Sequence, residues 1–271
     1  MTKHDYQPLV EKIPKQFSYW TVRHLSFAER LEIIQSVIYS KMNLWASIFI
    51  LLNHCIATLE QMCNAFLWKG VPNYAIGAKI AWESVCTSKK SGGLGLRRLL
   101  DWNKVIGLKL IWLIFTSSGS LWVSWVRPNL IKDGNLWDME SASGSWIWKQ
   151  LLKLRHLARP FIICEIGSGI TSSFWQDNWT SLGPLIDITG RSGPSRSGLP
   201  IDAVVSDAIR NGRWWIDGTR SRNSIISLLR QCLPPPTPIA QSDFDDYYKW
   251  KINQASIPKL FSLRNFESTS P

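Results

Sequence analysis

Cysteine, histidine and unbroken apolar runs are all scarce in this 271-residue chain, and each scarcity argues against a class of function. Five cysteines stand at 55, 63, 86, 164 and 232, with no C-x-x-C among them and four histidines in the whole chain. Neither a zinc finger nor a disulfide scaffold is expected from so few, widely spaced ligands. Cys55 and Cys63, eight residues apart on a helical pattern, would lie about 12 Å apart along the axis, too far to share one zinc ion with His54. The longest apolar stretches, Met42 to Leu52 and Val105 to Phe115, contain Asn43, Ser47 and Lys109. Both fall short of the roughly 20 residues that cross a bilayer, so no transmembrane segment is expected. The opening MTKHDYQPLVEKIPKQ has no apolar core for secretion, which points to an intracellular protein of nucleus or cytoplasm and leaves the sequon at Asn178 unused.

What the chain has instead is tryptophan and positive charge. There are 16 indoles against 6 tyrosines, and 31 basic against 20 acidic side chains give a net charge of +11. Such a balance favours anionic partners, RNA or DNA among them. The excess is uneven: +7 over residues 1–118, +1 over 119–183 and +3 over 184–271. With 45% hydrophobic and 19% charged residues, the chain has the composition of a folded protein.

Helical signals dominate the first 160 residues. Ser26-Phe27-Ala28-Glu29 is a capping box that predicts a helix start, followed by an apolar stripe at Leu31, Ile34, Val37, Ile38, Met42 and Trp45. A second helix over 56–69 carries Leu59, Met62, Cys63, Phe66 and Leu67 and stops at Gly70. Lys79 to Trp82 is a short extended candidate, and further helices are predicted over 99–115, 120–131 and 146–157. From Phe161 the period changes. Residues 161–166 and 170–175, separated by Gly167-Ser168-Gly169, predict a β-hairpin. Beyond Trp179, Gly/Ser/Pro-rich stretches predict irregular chain, with a helix near 225–232 and a strand near 249–252.

Catalytic chemistry finds little support. Gly92, Gly93 and Gly95 beside Lys89, Lys90, Arg97 and Arg98 lack the G-x-x-x-x-G-K-[ST] spacing of a phosphate loop. Two readings of this basic stretch, which Lys104 extends, stay open: a tight connection with solvated cations, or contacts to nucleic-acid phosphates. Asp243-Phe244-Asp245-Asp246 offers carboxylates for a two-metal polymerase site, but it follows proline-rich sequence, so an acidic turn is expected. His24 and His156 have no identifiable Ser or Cys partner. No catalytic residue, metal ligand or cofactor is assigned. Trp102, Trp112, Trp122 and Trp125, at helical spacing, read as core. Trp175, Trp179, Trp214 and Trp215, near Arg210, Arg213 and Arg220, could form a platform on which unpaired bases stack, and for Trp214 and Trp215 core packing is the equal alternative.

One resemblance joins many of these residues. Asp5-Tyr6-Gln7-Pro8-Leu9, Trp20, Leu25-Ser26-Phe27-Ala28-x-Arg30-Leu31, Phe66-Leu67-Trp68-x-Gly70, Ala81-Trp82-x-x-Val85-Cys86, Gly92-Gly93-Leu94-Gly95-Leu96 and Trp102-Asn103 form its first part. Leu121-Trp122-x-x-Trp125-Val126, Trp146-x-Trp148, Gly167-x-Gly169, Phe174-Trp175-x-Asp177-x-Trp179 and Gly183-Pro184-Leu185 continue it. The pattern resembles the plant LINE-type, non-long-terminal-repeat retrotransposon reverse transcriptases, in the region between polymerase and C-terminal zinc-binding domains. The resemblance implies that the family's Tyr-x-Asp-Asp metal site lies upstream of this chain and its zinc knuckle downstream. Lys249-Trp250 and Phe261-Ser262 would open the zinc-binding region. Glu29 departs from the Gly common in that family, a change the capping box accounts for.

The expected fold class is therefore α+β, mainly α, with antiparallel helices followed by a β-hairpin and a poorly ordered C-terminal region. The expected divisions are a lead-in over 1–24, a thumb- or connection-like helical region over 25–160, a Trp-rich hairpin over 161–183 and an irregular tail over 184–271. The leading functional expectation is a non-catalytic reverse-transcriptase-like remnant that binds RNA or DNA backbone. Its contacts would come from Lys89, Lys90, Arg97, Arg98, Lys104, Arg213, Trp214 and Trp215. The alternatives are a fragment acting with a reverse-transcriptase catalytic domain in trans, and a structural protein docking through apolar helices.

Overall fold

The computed structural model describes residues 7–19, 25–48, 50–72, 80–116, 119–132, 134–139, 144–218 and 223–251. Trp20, Arg220 and Phe261-Ser262 fall outside them, as does Lys79, the first residue of the extended candidate at 79–82, and Ile80 and Ala81 form no strand. The candidate's last residue, Trp82, opens a helical turn instead. The fold is α+β and mainly α. Among the described residues no single helix is long and apolar enough to cross a membrane. The chain divides into two compact units, Met1–Gly107 with Ser145–Gln150, and Leu108–Gly144 with Leu151–Pro271.

The first unit is built on periodic apolar faces. Helix α1 (Gln7–Tyr19) precedes α2 (Phe27–Ile33), whose start is the predicted capping box: Ser26 Oγ accepts from the Glu29 amide and Glu29 Oε2 accepts from the Ser26 amide at 2.7 Å. These bonds to the Ser26 backbone and hydroxyl hold the Glu29 carboxyl below its ordinary range. Helix α2 runs through a π-helical turn, Ile34–Ile38, into α3 (Tyr39–Ile48). The wider turn shifts the buried stripe by one residue. Ile34, Ile38, Tyr39 and Met42 are buried, whereas Val37 is only partly so. Helix α4 (Asn53–Lys69) buries Cys55, Ile56, Leu59, Cys63, Phe66 and Leu67 and ends at Gly70, whose φ of 76° is the left-handed cap predicted. Burial raises both thiols, Cys55 to about 11.

Polar side chains tie this unit's breaks together. The α3–α4 junction leaves the buried main chain of Leu51 outside either helix, and buried Asn103 answers both of its groups, accepting from the amide at 2.9 Å and donating to the carbonyl at 3.0 Å. Asn103 lies on α6 (Leu99–Thr116), one residue past Trp102, whose indole N–H donates to Asn43. Glu60 accepts from the Leu99 amide at the start of α6, and Arg30 donates to the Leu67 carbonyl at the end of α4.

The second unit follows a different logic. Helix α7 (Leu121–Val126) continues through the π-helical turn Arg127–Ile131, and α8 (Trp146–Ala158), part of this unit from Leu151 on, leads to strand β1 (Ile162–Glu165). The predicted hairpin does not form. Strand β1 pairs antiparallel with a strand 82 residues away, β4 (Tyr247–Trp250), in the register Ile162↔Trp250 and Glu165↔Tyr247. The stretch expected to return as its partner, 170–175, instead makes an isolated bridge, Ser173↔Val204. Gly167-Ser168-Gly169 is shaped by the distant segment before β4. A Cβ on Gly167 would stand 2.2 Å from the Phe244 carbonyl oxygen, and Gly169 has a φ of 72°. Asp246 fills this loop: Oδ1 accepts from the amides of Gly167 and Gly169 at 2.8 Å, and Oδ2 from those of Thr171 and Ser172 and from the Thr171 hydroxyl. The acidic stretch is thus a turn, and one of its carboxylates is a clamp.

Much of the region expected to be irregular packs tightly. Between the strands lie α9 (Leu185–Thr189), α10 (Gly193–Ser197), a two-residue hairpin of β2 (Ile209–Arg210) and β3 (Arg213–Trp214), α11 (Ser224–Cys232) and α12 (Thr237–Ala240). Leu185, Leu199, Val205, Trp214, Ile216, Ile226 and Leu229 form one cluster with Phe174 and Trp175. The Phe174 ring lies 5.0 to 6.1 Å from those of Trp175, Trp179, Trp214 and Trp215. Each of these indoles donates to a carbonyl: Trp175 to Pro200, Trp179 to Phe174, Trp214 to Pro234 and Trp215 to Ser197. Glycine- and proline-rich chain supplies carbonyls that no ladder consumes, and tryptophan needs them to be buried. Asp177, 2% exposed, accepts from Trp137 Nε1, Tyr248 Oη and the Ser173 amide. Burial nevertheless holds its pKa above the ordinary value.

Candidate nucleic-acid interface

The basic stretch of the first unit is a closed loop leading into a helix. After α5 (Trp82–Val85), the Leu94 amide donates to the Val85 carbonyl and the Gly95 amide to the Thr87 carbonyl, both at 2.9 Å. This pair of bonds pinches the chain at its base. At the tip a single 3₁₀ turn, Lys89–Ser91, ends at Gly92 with a φ of 84°. A Cβ on Gly93 would clash with the Thr87 carbonyl oxygen at 2.2 Å. The glycines therefore serve loop closure, which answers why they are there without a phosphate-loop spacing.

The five cations of this stretch differ in how far they are committed. Lys89 and Lys90 are exposed on the tip. Arg97 is exposed, with its guanidinium 4.4 Å from the Trp102 ring centre, and its carbonyl accepts from Tyr39 Oη at 2.7 Å. Arg98 pairs with Glu83 at 2.7 Å and Lys104 with Asp101 at 3.9 Å. Both pairs are open to solvent and contribute little to stability, so a phosphate can compete for either cation.

The remaining predicted contacts lie in the second unit. Arg213 is exposed, opposite Arg210 across the β2–β3 hairpin, whose turn is Asn211-Gly212 with φ values of 51° and 70°. Trp214 is no stacking platform: it is 6% exposed and packs in the core. Trp215 is half-buried against Phe174, with its N–H committed to Ser197. Alternation along the strand turns Arg213 outward and Trp214 inward. Asn211-Gly212, a strong hairpin signal between residues suited to strands, would have revealed this arrangement. The reading of Trp125 also needs correction: it is 56% exposed and is the exposed indole among the described residues, while Val123 and Val126 bury the other face of α7.

Among the described residues no group of three His, Cys, Asp or Glu side chains could hold a metal ion. No family model and no solved structure matches the chain. It is similar to a protein of Arabidopsis thaliana named "Putative ribonuclease H protein", with 26% identity over 275 residues, covering 98% of this chain and 42% of that relative. It is also similar to an uncharacterized mitochondrial protein of Arabidopsis thaliana, with 28% identity over 135 residues, covering 47% of this chain and 86% of that one. The chain thus spans less than half the length of the first relative, and the similarity covers nearly all of this chain.

Proposed function

We propose that the chain is a non-catalytic, reverse-transcriptase-like segment of LINE retrotransposon ancestry that binds the backbone of RNA or DNA through its basic first unit. The observation that carries this reading is the pinched loop that holds Lys89 and Lys90 out in solvent, in the part of the chain with the largest positive excess. Cations displayed this way neutralise phosphates without reading bases. The similarity over 98% of the chain to a relative named as a ribonuclease supports a history of nucleic-acid handling. A non-catalytic role is supported by the carboxylates: both oxygens of Asp246 are taken by loop donors, and Asp177 is sealed in the core.

The test is binding of a labelled 20-nucleotide single-stranded RNA by the full chain and by Lys89→Gln/Lys90→Gln. At low salt the double variant should bind about tenfold more weakly, two phosphate contacts having been lost. Equal binding by the two proteins would refute the assignment. A second reading, a chain that acts with a reverse-transcriptase catalytic domain in trans, is favoured by the 42% coverage of the longer relative. An in-frame Tyr-x-Asp-Asp in the flanking transcript would support it, and its absence would count against it.

A further inference from the structure

We propose that the second unit holds a separate site for the sugar-phosphate backbone of a single-stranded nucleic acid, in the groove between α8 and the α9–α10 turns. This inference rests on the reading that the chain handles nucleic acid, and it assigns contacts to residues outside the basic loop. The groove is open to solvent and has a volume of about 1370 Å3. Lys153 and Arg155 of α8, Arg159 just after it and Arg191 of the turn after α9 line it, against the carboxylates of Asp138 and Asp187.

Two of the cations are held in position and two remain available. Arg159 Nη2 donates to the Gln176 carbonyl at 3.1 Å, and its guanidinium lies 5.7 Å from the Trp137 ring centre. Its Nη1 is 3.3 Å from Asp187, whose side chain is 55% exposed, so that solvent weakens the pair and a phosphate can replace the carboxylate. Its Nε is buried with no acceptor. Arg155 spends Nη1 on the carbonyls of Leu136 and Met139. Burial lowers its pKa, Asp138 opposing the shift and Arg159 adding to it. Lys153 and Arg191 are exposed and have no ion-pair partner among the described residues.

The shape and lining narrow the ligand. The groove exceeds the roughly 300 to 1000 Å3 of small-molecule pockets, and its cations come from two separate segments, 153–159 and 191, which suits a run of phosphates better than one anion. Gly190 and Gly198 line it with no side chain, and a Cβ on either would meet nothing within 4 Å, so a strand can approach the backbone there. The indole in the wall, Trp137, is 6% exposed and stacked on Phe115 at 4.9 Å, which leaves no face for a base. Contacts are therefore to phosphates, independent of sequence.

The experiment titrates the full chain with a fluorescein-labelled 20-nucleotide single-stranded RNA of mixed sequence at several salt concentrations. Parent, Lys153→Gln/Arg191→Gln, Lys153→Arg/Arg191→Lys and Lys89→Gln/Lys90→Gln are compared, with far-UV circular dichroism as the check on folding. The groove variant should flatten the slope of log K against log salt by about 1.4, the value for two phosphate contacts on a single strand. The charge-conserving variant should keep the parent's slope. Unlabelled single strand should compete at least tenfold better than a duplex of the same length. A parent-like slope for the groove variant, with a flattened one for Lys89→Gln/Lys90→Gln, would overturn the groove and leave the basic loop standing. No binding by the parent would overturn both, and equal competition by duplex would overturn the single-strand assignment.

Discussion

In the first unit, apolar residues recur every three or four positions and a local capping box starts a helix, so that distant polar bonds, such as those of Asn103 to Leu51, join helices that local pattern already specifies. In the second unit the decisive partners lie far apart: Asp246 with Gly167, Tyr248 with Asp177, Trp214 with Pro234, β1 with β4. The first kind of order is repetitive and tolerant, because a stripe survives the loss of one member. The second concentrates stability in a few rings and one clamped loop. A damaged residue there should matter more than its neighbours in the chain suggest.

That contrast can be broken most directly at Trp175. The residue is fully buried beside Phe174, and Trp175→Ala should cost about 3 to 5 kcal/mol. Denaturant unfolding should show near-UV dichroism lost well before the helical signal at 222 nm; simultaneous loss of both would mean that the two units do not differ as described. Asp246→Ala should follow at about 3 kcal/mol, since four amides and a hydroxyl lose their acceptor. Burial raises the Asp246 pKa, but the bonds from Gly169, Thr171, Ser172 and Gly167 outweigh it and the net shift is downward. Its stabilisation is therefore complete above the unfolded carboxylate value near 4 and is lost as pH falls through the depressed folded value. An acid titration of stability should show the parent losing more than Asp246→Ala below pH 4.

Two substitutions in the first unit sharpen the other side of the comparison. Asn103→Ala removes both partners of the Leu51 main chain and should cost about 2 kcal/mol, seen as a lower denaturation midpoint with near-UV dichroism of the second unit retained. Ser26→Ala removes one cap and should cost about 1 kcal/mol, measurable as a small shift in the same midpoint.

How much could be read in advance follows the same division. The capping box, the α4 stripe, the stop at Gly70 and helices near 99–116, 146–158 and 224–232 were legible because they rest on local periodicity and local chemistry. The partner of β1 was not, since nothing in residues 161–176 announces a strand 82 residues on, and two glycines suited a turn as well as a cradle. The packing of 184–251 was hidden because proline- and glycine-rich chain carries no period, while the indole-to-carbonyl bonds that order it depend on the fold. At the candidate interface, Lys89 and Lys90 were legible as exposed cations. Trp214 was misread because its charged neighbours suggested a surface, whereas the strand points neighbours to opposite sides. The groove cations Lys153, Arg159 and Arg191 come together only through the tertiary fold.

The central functional claim is that this chain holds nucleic acid by its phosphates. Its most direct test is the affinity of the full chain for unrelated single-stranded RNA sequences over a range of salt concentrations. With four to five phosphates neutralised, log K should fall with log salt at a slope of about −3, the same for every sequence. A flat dependence, or no binding at low salt, would contradict the account.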